Sequence, residues 1–257
     1  LGGASDAAAY ALAVDAAGEA VVAGQANAGL PTTAGVLATV PGGPGGHPFV
    51  SELAADGTSL RWSTYLPGDQ ARTAQALVLD GLGHVVVGGQ TTADDFPQVA
   101  EIGQKTDAGG SEGFVSELTG DGTALVFSTY LGGSGFDAVY GLVAAADHTV
   151  NVVGQTGGSG FPIADWPDQG TYGGGGGGDG FLVILTPALF GADAPQGSAD
   201  THTTNRLTGS SFRAPVNGAV VSALSADIGR PVRGTRLPWP STPTGTAPPA
   251  RSWPVRP

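Results

Sequence analysis

Cysteine and methionine are both absent from the 257 residues. Without Cys, disulfide scaffolds, Cys-ligated zinc, iron–sulfur clusters and thiol nucleophiles are excluded, while the redox compartment stays open. Without Met, Leu1 reads as a processed end or the edge of a fragment, so the lack of a leader carries no information. Basic residues number ten against 22 acidic ones, a formal net charge of −12. Phosphate backbones and anionic lipids reward Lys and Arg, so neither a nucleic acid nor a membrane surface is the expected partner. No stretch approaches the roughly 18 apolar residues that membrane insertion as a helix requires. Helix-length amphipathic segments are missing too, and charged residues, at 12%, are scarce. Glycine (45) and proline (19) are abundant instead, near the level at which aperiodic chains fail to fold. With 40% hydrophobic residues a core is affordable only if the chain has a period.

It has one. Ser63-Thr64-Tyr65-Leu66 returns as Ser128-Thr129-Tyr130-Leu131, a step of 65 residues. Gly24-Gln25, Gly89-Gln90 and Gly154-Gln155 keep that step, and Phe49-Val50-Ser51-Glu52-Leu53 returns intact as Phe114-Val115-Ser116-Glu117-Leu118, with Phe181-Leu182-Val183-Ile184-Leu185 as a looser third copy. Within a period, four apolar runs bounded by turn residues read as strands, as in 74–80, 85–90, 114–118 and 125–131. Asp56-Gly57, Asp80-Gly81 and Asp121-Gly122 mark hairpins, since Gly takes the positive φ a primed turn needs. Four antiparallel strands per period describe a propeller blade. A sandwich is the alternative, but it does not explain the restart every 65 residues. The expected fold is all-β, a partial β-propeller of about three four-stranded blades: 1–65, 66–130 and an incomplete third, 131–190.

The run from Ser128 through Gly135 and Asp137, then Gly154-Gln155-Thr156 and Phe161-Pro162, with Leu12-Ala13-Val14-Asp15, Gly18, Leu30-Pro31-Thr32-Thr33 and Gly35 in the first copy, resembles the bacterial SBBP family of seven-bladed β-propeller repeats. The resemblance covers about residues 1–187. It implies a propeller in a large bacterial protein that is secreted or held at the cell surface, and it brings no catalytic residues. Three copies are fewer than the family's name requires, and the third lacks its closing word: where a Tyr is due near position 197 stands Gly197.

Beyond about 190 the composition changes. Residues 191–257 hold seven of the ten basic residues and ten of the nineteen prolines, with only Asp193, Asp200 and Asp227 acidic. Such a Pro/Arg-rich segment reads as a disordered tail, native linker or out-of-frame translation.

Residues able to carry chemistry are few. His47, His84, His148 and His202 are scattered and read as solvated turn residues. Gly132 to Gly135 and Gly173 to Gly178 lack the Lys and following helix of a phosphate loop and read as flexible connections. No catalytic or cofactor-binding residue is assigned. Carboxylates are the better metal candidates, because hard cations take oxygen ligands: Asp94, Asp95, Asp165 and Asp168, with Asp137 and Asp179 behind them, for calcium, although Asp and Gly also form turns. The connections between second and third strands, 26–48, 91–113 and 156–180, are long enough to bind something. Leu30, Phe96 and Phe161 in them read as anchors to their own blades, and Trp166 and Tyr172 as exposed contacts for a protein or glycan. The expected function is a non-catalytic binding scaffold; the alternatives are a propeller-hosted lyase or glycosidase and a structural spacer. Three blades do not close a ring, so further blades are expected from adjoining sequence or self-association.

Overall fold

In the computed structural model each period becomes one four-stranded antiparallel sheet with its strands in chain order. The structure describes residues 2, 5–69, 71–99, 104, 106–146, 148–162, 173, 177–185 and the strand 208–212. The first sheet comprises β1 (Ala7–Val14), β2 (Ala20–Ala26), β3 (His47–Leu53) and β4 (Leu60–Tyr65). The second holds β5 (Ala71–Leu79), β6 (Val85–Thr91), β7 (Glu112–Leu118) and β8 (Leu125–Leu131), and the third β9 (Asp137–Ala144), β10 (Val150–Thr156), β11 (Asp179–Leu185) and β12 (Thr208–Phe212). No helix occurs among the described residues. The all-β reading and the repeated four-stranded unit hold.

One expectation fails. The third copy is not left without a closing strand: β12, inside the segment read as a disordered tail, pairs with β11 from Gly180↔Phe212 to Ile184↔Thr208. Its register reproduces the other sheets. Phe181 faces Ser211 where Phe49 faces Tyr65 and Phe114 faces Tyr130. A ladder consists of backbone hydrogen bonds, so a closing strand can form without the Ser-Thr-Tyr-Leu word that marks it elsewhere. The rest of 191–257 lies outside the described residues.

The periodic words are requirements of the backbone. The first strand of every sheet carries a bulge, between Ala9 and Ala11, between Ala74 and Ala76, and opposite Val153/Gly154. Against each bulge lies the glycine of a Gly-Gln word. A Cβ there would stand 2.0 Å from the Ala8 carbonyl oxygen at Gly24, 1.9 Å from that of Thr73 at Gly89 and 2.1 Å from that of Ala138 at Gly154. The hairpin after that strand closes identically three times, with Asp15 N–H bonded to Glu19 C=O, Asp80 to His84 and Ala145 to Thr149. Gly18 (φ 81°), Gly83 (φ 90°) and His148 (φ 64°) occupy its left-handed position.

The sheets pack face to face because their strands are apolar on both sides. In β6, Val85 and Val87 join Val21, Ala23, Val50 and Trp62 of the first sheet, while Val86 between them joins Val139, Val150 and Val152 of the third. Full burial of such a side chain contributes roughly 1.5–3 kcal/mol. Among the described residues the second sheet is thus packed against another sheet on both faces and its neighbours on one. Leu77 and Leu79 pack into the first junction, but their equivalents Leu12 and Val14 are 64% and 59% exposed. Val78 packs into the second junction, while its equivalent Val143 is 65% exposed.

Candidate functional site

The three long connections, 27–46, 92–111 and 157–178, leave the same end of their sheets, from Ala26, Thr91 and Thr156 to His47, Glu112 and Asp179. Each is fixed at several points. The Tyr65 hydroxyl donates to Asn27 C=O (2.6 Å) and accepts from Leu30 N–H (3.0 Å). Tyr130 repeats this with Ala93 C=O (2.7 Å) and Phe96 N–H (3.1 Å). The preceding threonine clamps the loop further on: Thr64 Oγ1 accepts from Ala38 N–H, and Thr129 Oγ1 from Gln104 N–H, both at 2.9 Å. The serine before it pairs across the strands, Ser51 with Ser63 at 2.7 Å and Ser116 with Ser128 at 2.9 Å. Each member of the Ser-Thr-Tyr word therefore has a fold-holding task. Leu30, Phe96 and Phe161 are buried as anchors in their own sheets, the last two with ring centroids 4.6 Å from Phe114 and Phe181.

At the base of each loop, the first residue of the third strand is buried and titratable: His47, Glu112 and Asp179. All three latch the incoming chain. His47 Nε2 bonds to Gly43 C=O (2.8 Å), Glu112 Oε1 accepts from Ala108 N–H (2.8 Å), and Asp179 Oδ2 accepts from Gly173 N–H. Burial pushes the Glu112 carboxyl up to about 8, with the charges of Asp137 and Asp107 adding to the rise and the Ala108 N–H opposing it. Asp137, fully buried, is also raised by burial, against hydrogen bonds from Thr156, Gly133, Gly157 and Gly135. Sequence reasoning missed the latches because the residue type changes from copy to copy. The signal was positional: each stands two residues before the Phe of the third-strand word.

Of the calcium candidates, Asp94 and Asp95 are exposed and meet Asp69, whose N–H donates to Asp95 Oδ1 at 2.9 Å. The Asp69 carboxyl is raised, by burial first and then by the Asp95 and Asp94 charges. Asp137 and Asp179 are not in a loop site but flank Thr156 in the third sheet. Asp165, Asp168, Trp166 and Tyr172 lie outside the described residues, as does His202.

Two readings need correction. The other histidines are not free in solvent: His47 is fully buried edge-on to Tyr65, while His84 and His148 do lie at the first hairpin turn but are partly buried and bonded, His84 to Glu117 and His148 Nδ1 to the Asp80 carbonyl across the sheet junction (2.9 Å). Gly132 to Gly135 is not a slack connection, since Gly132 N–H donates to Gln104 Oε1, Gly133 N–H to Asp137 Oδ2 and Ser134 N–H to Ser159 C=O. Small residues there let one loop's backbone lie against the next.

Compared with known protein families and with curated proteins, the chain matches none.

Proposed function

We propose that this chain is an arc of a β-propeller of the SBBP-repeat kind, serving as a non-catalytic scaffold in a secreted or cell-surface bacterial protein and binding a protein or glycan through its long loops. The supporting observation is the loop end itself: three excursions of similar length leave one end of three packed sheets, each latched by the first residue of its third strand, and the first two are also held by matching tyrosine hydrogen bonds at their stems. Pinned stems lower the entropy cost of ordering a loop tip around a ligand. The buried carboxyls favour a scaffold over the lyase or glycosidase alternative, because Glu112 and Asp137, at 1% and 0% exposure, are closed to a substrate. For the glycan form of this reading, a glycan array probed with the full chain should give selective binding. Trp166→Ala with Tyr172→Ala should remove that binding and leave the melting temperature within about 2 °C. Binding that survives the double substitution counts against these loops, and a silent array favours a protein ligand or a spacer.

The arc reading also supplies a partner. The face bearing Leu12 and Val14 matches, position for position, the face of the second sheet that receives the first, and the face bearing Val143 matches the one that receives the third. The two ends are therefore complementary head to tail, a heterologous contact that closes a ring or propagates. Light scattering of the isolated chain is expected to give a mass of two or more copies, returned to a monomer by Leu12→Asp with Val14→Asp. A wild-type chain that stays monomeric at 100 µM on the order of usual working concentrations sinks the second-copy partner.

A further inference from the structure

At the opposite end of the sheets, beside the first hairpin turn, three ligand-type side chains recur at the 65-residue step. They are Asp15, Glu19 and Glu52 in the first sheet and Asp80, His84 and Glu117 in the second, and the ligand atoms of each trio lie within 4.8 Å of one another. The turn explains how two of them are aimed. Asp15 Oδ1 accepts from Ala17 and Glu19 N–H (2.9 and 2.7 Å), and Asp80 Oδ1 from Leu82 and His84 N–H (2.8 and 2.9 Å). The other oxygen of Asp80 is left toward the residue that ends the turn. The third member arrives from the neighbouring strand, where Glu52 pairs with Val21 and Glu117 with Val86.

The third sheet shows that the turn does not need the trio. Its equivalents are Ala145, Thr149 and Ile184, the last pairing with Asn151 as Glu117 pairs with Val86. The turn still closes, with Ala145 N–H on Thr149 C=O at 2.7 Å. The three side chains are lost together, as members of one unit would be.

The two surviving trios differ in how their negative charge is met. In the first, Arg61 Nε lies 3.2 Å from Glu19 Oε1. In the second, Val126 stands 65 residues on from Arg61, and His84 replaces the glutamate. His84 Nδ1 is 2.6 Å from Glu117 Oε1 and 3.5 Å from Asp80 Oδ2. Glu117 is 1% exposed, and its second oxygen, Oε2, is buried and makes no hydrogen bond. A carboxylate oxygen left bare in the interior is costly, and a bound cation removes that cost.

We propose that Asp80, His84 and Glu117 form a three-ligand site for a divalent transition-metal ion of the zinc class. One imidazole nitrogen with two carboxylates is a zinc-type donor set; calcium, which takes only oxygen, is not suited by it. The separations of 2.6 and 3.5 Å bracket the edge of about 3.3 Å that a tetrahedron with bonds near 2.0 Å requires. The 30% exposure of the His84 side chain leaves an entry path and room for water as fourth ligand. The inference does not depend on the propeller reading or on what the long loops bind.

The chelator-treated 257-residue chain titrated with zinc chloride by calorimetry should bind one equivalent saturably, and cobalt(II) in its place should give the visible absorption of a tetrahedral nitrogen–oxygen site. His84→Gln, which keeps a donor for Glu117, and Glu117→Gln should each weaken zinc binding tenfold or more. Glu19→Gln and the pair Asp94→Asn with Asp95→Asn should leave it unchanged. Circular dichroism identifies the variants that are folded. Absence of saturable zinc binding by the folded wild type overturns the proposal. So does zinc binding retained by folded His84→Gln, or lost only when Asp94 and Asp95 are neutralised.

Discussion

Gly89→Ala is expected to destabilise the chain by roughly 4 kcal/mol or more, a large share of the 5–15 kcal/mol that holds an ordinary domain folded. The added methyl would sit 1.9 Å from the Thr73 carbonyl oxygen, 2.9 Å from its carbonyl carbon and 3.0 Å from Ala74 Cα. All three are backbone atoms of β5, so no side-chain rotation relieves the clash. Relief requires parting β5 from β6 at the bulge, in the sheet that is covered on both faces. Gly83→Ala is the control. Gly83 is in the left-handed region at φ 90°, but a Cβ there meets nothing within 4 Å. Its substitution should cost only the conformational penalty, about 1–2 kcal/mol, and His148 at the equivalent turn position shows that a side chain is tolerated there. Urea unfolding followed by circular dichroism separates the two; a Gly89→Ala variant within about 1 kcal/mol of the parent would refute the close-approach argument.

The same contrast explains which features could be read from the sequence. Gly24, Gly89 and Gly154, and Tyr65 with Tyr130, answer demands of the backbone, where one residue type serves and is repeated; such words survive as literal repeats. The loop latches answer a demand that several side chains can meet, since a loop carbonyl suits His47 and a loop N–H suits Glu112 or Asp179. No word marks them. β12 was hidden for a related reason, because pairing with β11 asks only for an extended backbone. The Asp80, His84 and Glu117 trio was invisible because two members sit in the turn between β5 and β6 and the third on β7, and only the pairing of β6 with β7 brings them together. Asp94 and Asp95 were legible as an acidic pair, but their third member, Asp69, comes from the connection before β5.

Buried carboxyls at the loop end lead to the second large effect, a stability that falls as pH rises. Acidic proteins are usually stabilised on leaving acid, because paired carboxylates hold their protons less tightly when folded. Exposed Asp56 and Asp121, lowered by hydrogen bonds from Thr58 and from Thr119 and Thr123, behave in that ordinary way. Glu112 behaves oppositely. Its folded value of about 8 stands far above the ordinary 4.5, so the folded chain keeps a proton that the unfolded chain releases. The stabilisation is complete below about pH 4.5 and is lost as pH climbs through about 8, at a limiting slope of about 1.4 kcal/mol per pH unit. Asp137, raised in the same sense, adds to it. Urea unfolding from pH 5 to 9 should show a loss of a few kcal/mol. Net negative charge also grows over this range and works in the same direction, so the wild-type slope alone does not identify the group. Glu112→Gln does, because an amide keeps an oxygen for Ala108 N–H and a neutral donor beside Asp107 and Asp137. The variant should match the parent near pH 5, exceed it by a few kcal/mol near pH 9, and lose most of the slope. The alkaline parent should also become susceptible to proteolysis in the 92–111 connection, since an ionised, buried Glu112 gains stability only by opening the latch to water. A slope that Glu112→Gln leaves intact would mean that the loop-end carboxyls titrate as ordinary acids and that the latch works without its proton.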